Sequence, residues 1–231
     1  MLKKWIIGMF TLIVATIILI VTFILLILSM KPNTQSTTSE IVRPRNALPI
    51  ITEKHGITRI NGHVVVNKQY SLPRTYQPGE NKAARYKLNQ LLHKAEKEHI
   101  DLKYISGYRS YDDQKQVVET YTQKDGKQTA QSYTAPPGHS EHQTGLAFDV
   151  GTNRPMKDFH KDFEKSEESK WLTQHAADYG FIIRYPKGQS QQTGYAYEPW
   201  HLRYVGHQLA KIITEEHTNL ENYYHLNREI K

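Results

Sequence analysis

The chain has 231 residues, 38% of them hydrophobic and 23% charged, which fits one globular domain plus additional segments and excludes wholesale disorder. It contains no cysteine, which excludes disulfide scaffolds, thiolate metal sites, iron–sulfur clusters and a cysteine nucleophile, so a metal would need His, Asp or Glu ligands. The formal net charge of +7 suits a polyanionic partner but does not separate nucleic acid, an anionic membrane surface and a wall polymer.

The amino-terminal region is dominated by an apolar stretch at residues 5–30 that carries no charged side chain. A helix of about 20 apolar residues spans a bilayer, whereas a cleavable signal peptide has an apolar core of ~7–15 residues and a small-residue cleavage site. Helices of soluble proteins also keep a polar face. We therefore predict one transmembrane helix, an uncleaved signal anchor over residues 5–30, preceded by a cytoplasmic tail at residues 1–4.

The orientation of this anchor is not decided by the flanking lysines and arginines, which occur on both sides. The short amino-terminal tail and the long hydrophilic remainder favour an amino terminus inside the cell. Residues 31–48 are polar, rich in Thr and Ser, and interrupted by Pro, as is typical of a linker. The remaining residues, 49–231, are predicted to form an extracytoplasmic domain.

Helices in this domain are predicted from apolar spacing and from caps. Leucines and an alanine recur at helical spacing after residue 81, with Lys and Glu opposite. Ser110 and Asp113 match the capping-box pattern at a helix start, and Gly180 is a typical residue just after a helix end. Four helices are predicted, over residues 81–99, 110–121, 170–179 and 206–216.

Strands are predicted where β-branched or alternating apolar residues lie between breakers. Five are predicted, over residues 63–67, 102–107, 146–150, 181–185 and 201–205. Residues 124–137 are predicted to form a polar loop. Because helices and strands are mixed without a βαβ rhythm, we expect an α+β fold with a central, largely antiparallel sheet and helices packed on it.

The first of two chemically notable segments runs from Gly138 to Asp149. Side chains alternate along a strand, so if Phe148 and Val150 face the core, Asp149 faces the other way. Gly145 permits a tight turn that would fold His142 back towards this carboxylate.

The second segment is Glu198-Pro199-Trp200-His201. His201 begins a predicted strand, and together with His142 and Asp149 it completes a set of two imidazoles and one carboxylate. Three protein ligands with a further position for water are what a catalytic zinc requires, so the zinc site is expected on the sheet face. Glu198 is placed to take a proton from the attacking water. The helical H-E-x-x-H pattern of zincins is absent from the chain.

These motifs resemble the zinc D-alanyl-D-alanine carboxypeptidases, in the group that includes lysostaphin-type enzymes and sonic hedgehog. The residues that match the pattern S-x-H-x-x-G-x-A-x-D are Ser140, His142, Gly145, Ala147 and Asp149, and they are followed by the E-P-W-H of residues 198–201. The similarity extends to Ser106-Gly107-Tyr108-Arg109-Ser110 with Gln114, and to Val66-Asn67-Lys68, so that it covers roughly residues 60–210.

The resemblance implies one zinc ion per domain, with His142, Asp149 and His201 as its ligands. It implies Glu198 and Arg109 as catalytic residues, and no ligand or catalytic position departs from the family pattern. A fixed guanidinium would suit the oxyanion formed when a peptide carbonyl is attacked. Ser140 and Gln114 are candidate substrate-binding residues, although a local hydrogen bond explains each of them equally well.

The implied function is a membrane-anchored zinc D-alanyl-D-alanine carboxypeptidase that removes the terminal D-Ala from peptidoglycan stem peptides. The expected partners are the stem peptide and, through the amino-terminal helix, the cell membrane, with the domain facing the wall as a monomer and no nucleic acid bound. An L,D-carboxypeptidase or endopeptidase of the same fold would have identical ligands. A non-catalytic wall-binding module and an enzyme that confers resistance by trimming precursors also remain as alternatives.

Overall fold

The computed structural model describes residues 48–226. The predicted tail at residues 1–4, the anchor at residues 5–30 and all but the last residue of the predicted linker lie outside that range. Among residues 48–226, no helix combines the length and the apolar composition needed to cross a membrane.

The domain is α+β, and its strands pair only in antiparallel fashion within the described range. The strands are β1 (Ile51–Lys54), β2 (Ile57–Ile60), β3 (His63–Val64), β4 (Lys103–Ser106), β5 (Ala147–Gly151), β6 (Phe181–Ile183) and β7 (His201–Tyr204). The α-helices are α1 (Lys82–Lys97), α2 (Tyr111–Asp125), α3 (Lys127–Tyr133), α4 (Phe159–Lys165), α5 (Glu167–His175), α6 (Ser190–Thr193), α7 (His207–Glu215) and α8 (Leu220–Tyr223).

The central sheet has the strand order β4-β5-β7-β6. Its middle pair, β5 and β7, is in a register that places Asp149 directly opposite His201. Phe148 and Val150 are fully buried in the main core, as the alternation along this strand predicts. The face of the sheet opposite that core is therefore the one that carries Asp149 and His201.

Helix α1 covers the core face of the sheet. Its buried residues Leu88, Leu91 and Ala95 belong to the same cluster as Phe148 and Leu202 of the sheet. These leucines recur at intervals of three and four residues, so a single stripe of the helix is apolar and packs inward. The core holds β5 and β7 rigidly from behind, and the chemistry-bearing side chains project from their other face.

The caps predicted from the sequence are present. The Ser110 hydroxyl accepts from the Asp113 backbone N–H, and the Asp113 carboxylate accepts from the Ser110 N–H, which is the reciprocal capping box. Gly180 adopts the left-handed conformation with φ of 84°, ending a 3₁₀ segment at residues 176–179 that continues α5. The first cap follows β4 directly, and the second end leads into β6.

The short helices α4, α6 and α8 were not predicted, and the structure differs from the sequence-based prediction in three further places. The predicted polar loop at residues 124–137 contains helix α3, which is too short and too polar to show an apolar stripe. The strand predicted over residues 63–67 pairs only at His63–Val64, and Val65 and Val66 are buried outside the ladder. The hairpin β1–β2 was not predicted, because all four residues of β1 are exposed and lack apolar alternation.

Candidate metal and catalytic centre

The predicted ligands His142, Asp149 and His201 come together on the open face of the sheet, with their ligand atoms within 4.8 Å of one another. His142 lies in a 3₁₀ turn at residues 141–144 that ends at Gly145, whose φ is 70°. A side chain at this glycine would overlap the carbonyl oxygen of Gly79, so the turn needs glycine for space as well as for conformation. The turn folds His142 back over Asp149, as the sequence predicts.

The distances within this cluster fit a small divalent cation. The Nε2 atom of His142 lies 3.1 Å from Oδ2 of Asp149, and Nδ1 of His201 lies 3.1 Å from Oδ1 of the same carboxylate. Ligands placed about 2.0 Å from a tetrahedral zinc are separated by about 3.3 Å, so the spacing is close to that of a zinc site. Two imidazoles and a carboxylate are also ligands that zinc accepts.

The hydrogen bonding of His142 fixes which of its nitrogens is free to bind a metal. Its Nδ1 atom is 2.7 Å from the carbonyl oxygen of Gly107, and because a carbonyl only accepts, Nδ1 donates. The Nε2 atom is left to face the Asp149 carboxylate at 3.1 Å. A metal ion bound there would take the Nε2 lone pair and the carboxylate oxygen together, while the bond from Nδ1 holds the ring in place.

Electrostatics within the cluster point the same way. Burial alone would lower the pKa of His201, but the carboxylates of Asp149 and Glu141 outweigh burial and raise that pKa to about 9. Burial opposes ionisation of Asp149, yet the two histidines hold its pKa well below the ordinary value. The cluster thus attracts positive charge, and a metal ion bound to His201 would replace its proton.

Glu198 lies beside the cluster at the edge of the same cleft. Its Oε2 atom is 3.8 Å from Nδ1 of His201, and its backbone N–H donates to the Tyr185 carbonyl, which fixes the segment before β7. The residue is 9% exposed, and burial raises its pKa to about 7. A carboxylate with a pKa close to neutrality can both accept and return a proton during a reaction cycle.

Arg109 reaches the cleft from the residue before the α2 cap, and its guanidinium is braced by two side chains. Nη1 donates to Oε1 of Gln114 at 2.8 Å, and Nη2 donates to Oγ of Ser106 at 3.1 Å. Gln114 is itself buried and donates to the Ala135 carbonyl at 2.7 Å. The Gln114 amide therefore links Arg109 to the Ala135 carbonyl and holds the guanidinium in place.

All the predicted site residues line one cleft of about 300 Å³. Ser140 is buried in its wall, two residues before His142 in the chain. Much of the remaining wall is aromatic, and His160 stacks on Trp200 with ring centres 4.8 Å apart. The other aromatic residues that line the cleft are Tyr121, Tyr133, Tyr185, Tyr195 and Tyr197. Such a cleft suits a short peptide with small or partly apolar side chains.

Sequence reasoning missed a second group of charges, which lies behind His201. Oε1 of Glu141 accepts from Nε of Arg184 at 2.8 Å and from Nη1 of Arg203 at 2.7 Å. Arg184 also donates to both oxygens of Glu221. These four side chains are almost completely buried, and the arginines hold the pKa of Glu141 well below its usual value against the effect of burial.

One signal in the sequence could have revealed this group. Arg203 lies two residues after His201 in the same strand, so both project from the site face of the sheet. A charged residue in the middle of a central strand needs a buried partner. The partner, Glu141, precedes a predicted ligand by one residue, but sequence spacing does not show that the two segments meet.

Comparison with known proteins agrees with this geometry. Residues 78–207 match the VanY family, described as D-alanyl-D-alanine carboxypeptidase. The chain is 36% identical to YodJ of Bacillus subtilis (strain 168) over 219 residues, which cover 85% of this chain and 80% of that protein.

Two solved structures are similar over most of the domain. An L,D-carboxypeptidase, DacB from Streptococcus pneumoniae, is 40% identical with a TM-score of 0.69 and covers 76% of this chain and 95% of its own. The vancomycin-resistance D,D-pentapeptidase VanY, in complex with Zn(II), is 31% identical with a TM-score of 0.58 and covers 69% of this chain and 96% of its own.

Proposed function

The chain belongs to the VanY family of D-alanyl-D-alanine carboxypeptidases and is a zinc metallopeptidase of that type, and we propose that it removes the C-terminal D-alanine from peptidoglycan stem peptides. The observation that carries this proposal is the convergence of His142, Asp149 and His201 with the buried carboxyl of Glu198 in one cleft. A buried glutamate whose pKa is raised to about 7 is more typical of an active site than of a module that only binds.

In the proposed mechanism, His142, Asp149 and His201 would hold the zinc ion. When bound, zinc supplies a Lewis acid that polarises the scissile carbonyl and makes water a better nucleophile. Glu198 takes the proton of the attacking water on its carboxylate and returns it to the amine of the departing D-alanine. Burial raises the pKa of Glu198 in the metal-free protein, which favours the uptake of a proton by this carboxylate.

Arg109 contributes a positive charge that is fixed before the substrate arrives. Because Gln114 and Ser106 brace the guanidinium, little reorganisation is needed when negative charge develops on the carbonyl oxygen. The same guanidinium is also positioned to attract the free carboxylate of a C-terminal residue. Ser140 lines the cleft beside His142 and is proposed to contact the substrate.

An L,D-carboxypeptidase, which removes D-alanine from a tetrapeptide stem, is a second candidate function. The observation that favours it is the similarity to DacB, which at 40% identity and a TM-score of 0.69 exceeds the similarity to the D,D-pentapeptidase VanY at 31% and 0.58. The metal ligands and Glu198 would serve either bond equally. The aromatic wall of the cleft is where the two specificities would differ.

We further propose that residues 5–30 anchor the enzyme in the cell membrane, with residues 49–231 outside as a monomeric domain facing the wall. The uncharged apolar stretch at residues 5–30 supports this location. The net charge of +7 suits a protein that works close to an anionic wall and membrane.

Mass spectrometry of defined stem peptides tests the activity. Zinc-loaded full-length protein is incubated with tri-, tetra- and pentapeptide stems, with Glu198→Gln as a matched inactive control. Conversion of pentapeptide to tetrapeptide indicates D,D-carboxypeptidase activity, and conversion of tetrapeptide to tripeptide indicates the L,D activity. Internal cleavage that is insensitive to C-terminal amidation would identify an endopeptidase, and no cleavage of any stem would contradict the proposal.

A further inference from the structure

Glu141 precedes the ligand His142 in the chain, but its side chain points to the rear of the other histidine. Its Oε2 atom lies 3.7 Å from Nε2 of His201. Both atoms are buried, and both are among the side-chain atoms of the described residues that have no hydrogen-bond partner. Buried polar atoms are rarely left unpaired, so two of them facing each other require an explanation.

The chemistry of the imidazole supplies that explanation. The other nitrogen of His201, Nδ1, is directed at Asp149 and is therefore the atom placed to bind zinc. A neutral imidazole that gives one nitrogen to a metal keeps its proton on the other nitrogen. Nε2 then becomes a donor, and Oε2 of Glu141 is the acceptor that faces it. A separation of 3.7 Å leaves no room for a water between them, and an approach of about 0.5–0.8 Å would bring the two atoms to hydrogen-bond distance.

We propose that Glu141 is a positioning residue of the zinc site, which accepts a hydrogen bond from Nε2–H of His201 and so fixes the ring and its tautomer for metal binding. This inference rests on the proposed role of His201 as a ligand. It adds a carboxylate–histidine–metal relay that reaches into the domain interior.

The orientation of Glu141 is itself fixed from behind. Its Oε1 atom accepts from both Arg184 and Arg203, so the carboxylate cannot rotate without breaking two buried charge-assisted bonds. Arg184 is held in turn by a bidentate pair with Glu221 of α8, and Arg203 donates to the Val64 carbonyl. The zinc site is therefore supported by elements from both ends of the domain.

Glutamine cannot replace glutamate in this arrangement. Both oxygens of the Glu141 carboxylate are acceptors, and they face donors on Arg184, Arg203 and His201. A glutamine amide has one acceptor oxygen, so its NH₂ group would face either the two arginines or His201. Glu141→Gln should therefore weaken zinc binding even when the variant folds. Loss of such an outer contact typically costs about 10- to 100-fold in metal affinity.

The test is the zinc dissociation constant of full-length protein, measured by competition with a chromophoric chelator. Glu168→Gln is the matched control, because Glu168 is also a fully buried carboxylate paired with an arginine, Arg154, but lies in α5 and outside the cleft lining. We expect Glu141→Gln to bind zinc about 10- to 100-fold more weakly and Glu168→Gln to stay within about twofold of wild type. Equal affinities of Glu141→Gln and wild type would overturn the inference.

A second measurement uses the wild-type protein and does not depend on the variant's folding. Nitrogen-15 NMR of the zinc-loaded protein should show a proton on Nε2 of His201, in a hydrogen bond, with His201→Gln used to assign the signal. An unprotonated Nε2 in the zinc-loaded state would overturn the inference.

The ligand assignment is tested separately. If His201→Ala binds zinc as wild type does, the proposed ligand set is wrong and this inference fails with it. If His201→Ala loses zinc while Glu141→Gln does not, the ligand set stands and only the role of Glu141 is wrong.

Discussion

The two sides of His201 face buried charges that are arranged in opposite ways. Behind the ring, Glu141 and Glu221 are matched by Arg184 and Arg203, and hydrogen bonds join all four. In front of the ring, the carboxylates of Asp149 and Glu198 lie close to histidines. Among the described residues, no arginine or lysine lies within ion-pair distance of either carboxylate. The formal charges of the rear group sum to zero, whereas the front carboxylates depend on the two histidines, or on a bound cation, for positive charge.

This difference separates structural from functional charge. A buried network in which every formal charge is matched can persist without a ligand, because its partners repay part of the cost of desolvation. Buried carboxylates without a cation are costly unless something else supplies the positive charge. Burial raises the pKa of Glu198, and the carboxylates of Asp149 and Glu141 raise the pKa of His201 against the effect of burial. Such shifts are typical of functional sites.

The largest expected effect comes from removing a front-side ligand. His142→Ala should reduce zinc from about one ion per chain to a small fraction, and abolish activity, because a three-ligand site does not tolerate the loss of one ligand. Elemental analysis of the purified protein measures this. His93→Ala, at a histidine whose side chain is 62% exposed, is the control and should retain its zinc. Full zinc content in His142→Ala would show that this histidine is not a zinc ligand.

Glu198 tests whether the front group performs chemistry in addition to binding metal. Glu198→Gln should lower kcat by roughly 10²- to 10⁴-fold while zinc content and folding stay the same, since an amide cannot accept the proton. Single-turnover kinetics with a stem peptide measure the effect. Turnover near that of wild type would show that the proton goes to another group, and loss of zinc would make Glu198 a ligand.

Removing a charge from the rear group should lower the stability of the fold. Arg184→Met leaves Glu141 and Glu221 without a shared partner in a buried site, so the free energy of unfolding of the metal-free protein should fall by about 3–5 kcal/mol. Denaturant titration measures it. Arg74→Met breaks an ion pair whose arginine is 69% exposed, and should cost no more than about 1 kcal/mol. Similar costs for both variants would remove the distinction between the two kinds of charge.

Zinc binding should also depend on pH in a defined direction. In the metal-free protein the pKa of His201 is raised to about 9, so below that pH the ring must lose a proton before it binds zinc. Zinc affinity should therefore rise with pH, by about tenfold per unit for one proton released, and level off near pH 9. Calorimetry in buffers of different ionisation enthalpy counts the proton. An affinity that is constant between pH 6.5 and 8 would contradict this.

The smallest effect is expected at Arg109. Lysine keeps the charge but not the planar fork that Gln114 and Ser106 brace, so Arg109→Lys should lower kcat by about tenfold with little change in KM. Steady-state kinetics with free and C-terminally amidated stems separate the roles. If KM rises instead, and amidation erases the difference from wild type, Arg109 binds the terminal carboxylate.

Local sequence patterns predicted the front group well, for reasons visible in the structure. The alternation along β5 placed Asp149 opposite the core, and Gly145 allowed the turn that returns His142 to it. These inferences need only the geometry of one strand and one turn. The sequence analysis grouped His201 with His142 and Asp149 by its chemistry, and the resemblance implied the same ligand set. The pairing of β5 with β7, which was not predicted, shows how the fold brings His201 to Asp149.

The rear group could not be predicted in the same way, because it depends on contacts between distant segments. Glu141 and Glu221 are 80 residues apart in the chain and meet only through Arg184. Helix α3 was missed for a different reason, since a seven-residue polar helix has no apolar stripe and is stabilised by its surroundings. The predicted anchor at residues 5–30 remains a prediction.

The cluster in front of His201 is expected to bind zinc through His142, Asp149 and His201. Anomalous diffraction from crystals of the active protein, measured on either side of the zinc absorption edge, tests it most directly. We expect one zinc peak in contact with His142, Asp149 and His201, with Glu198 beside the metal but not bound to it. A fully active crystal with no peak at these three residues, or with its zinc bound elsewhere, would contradict it.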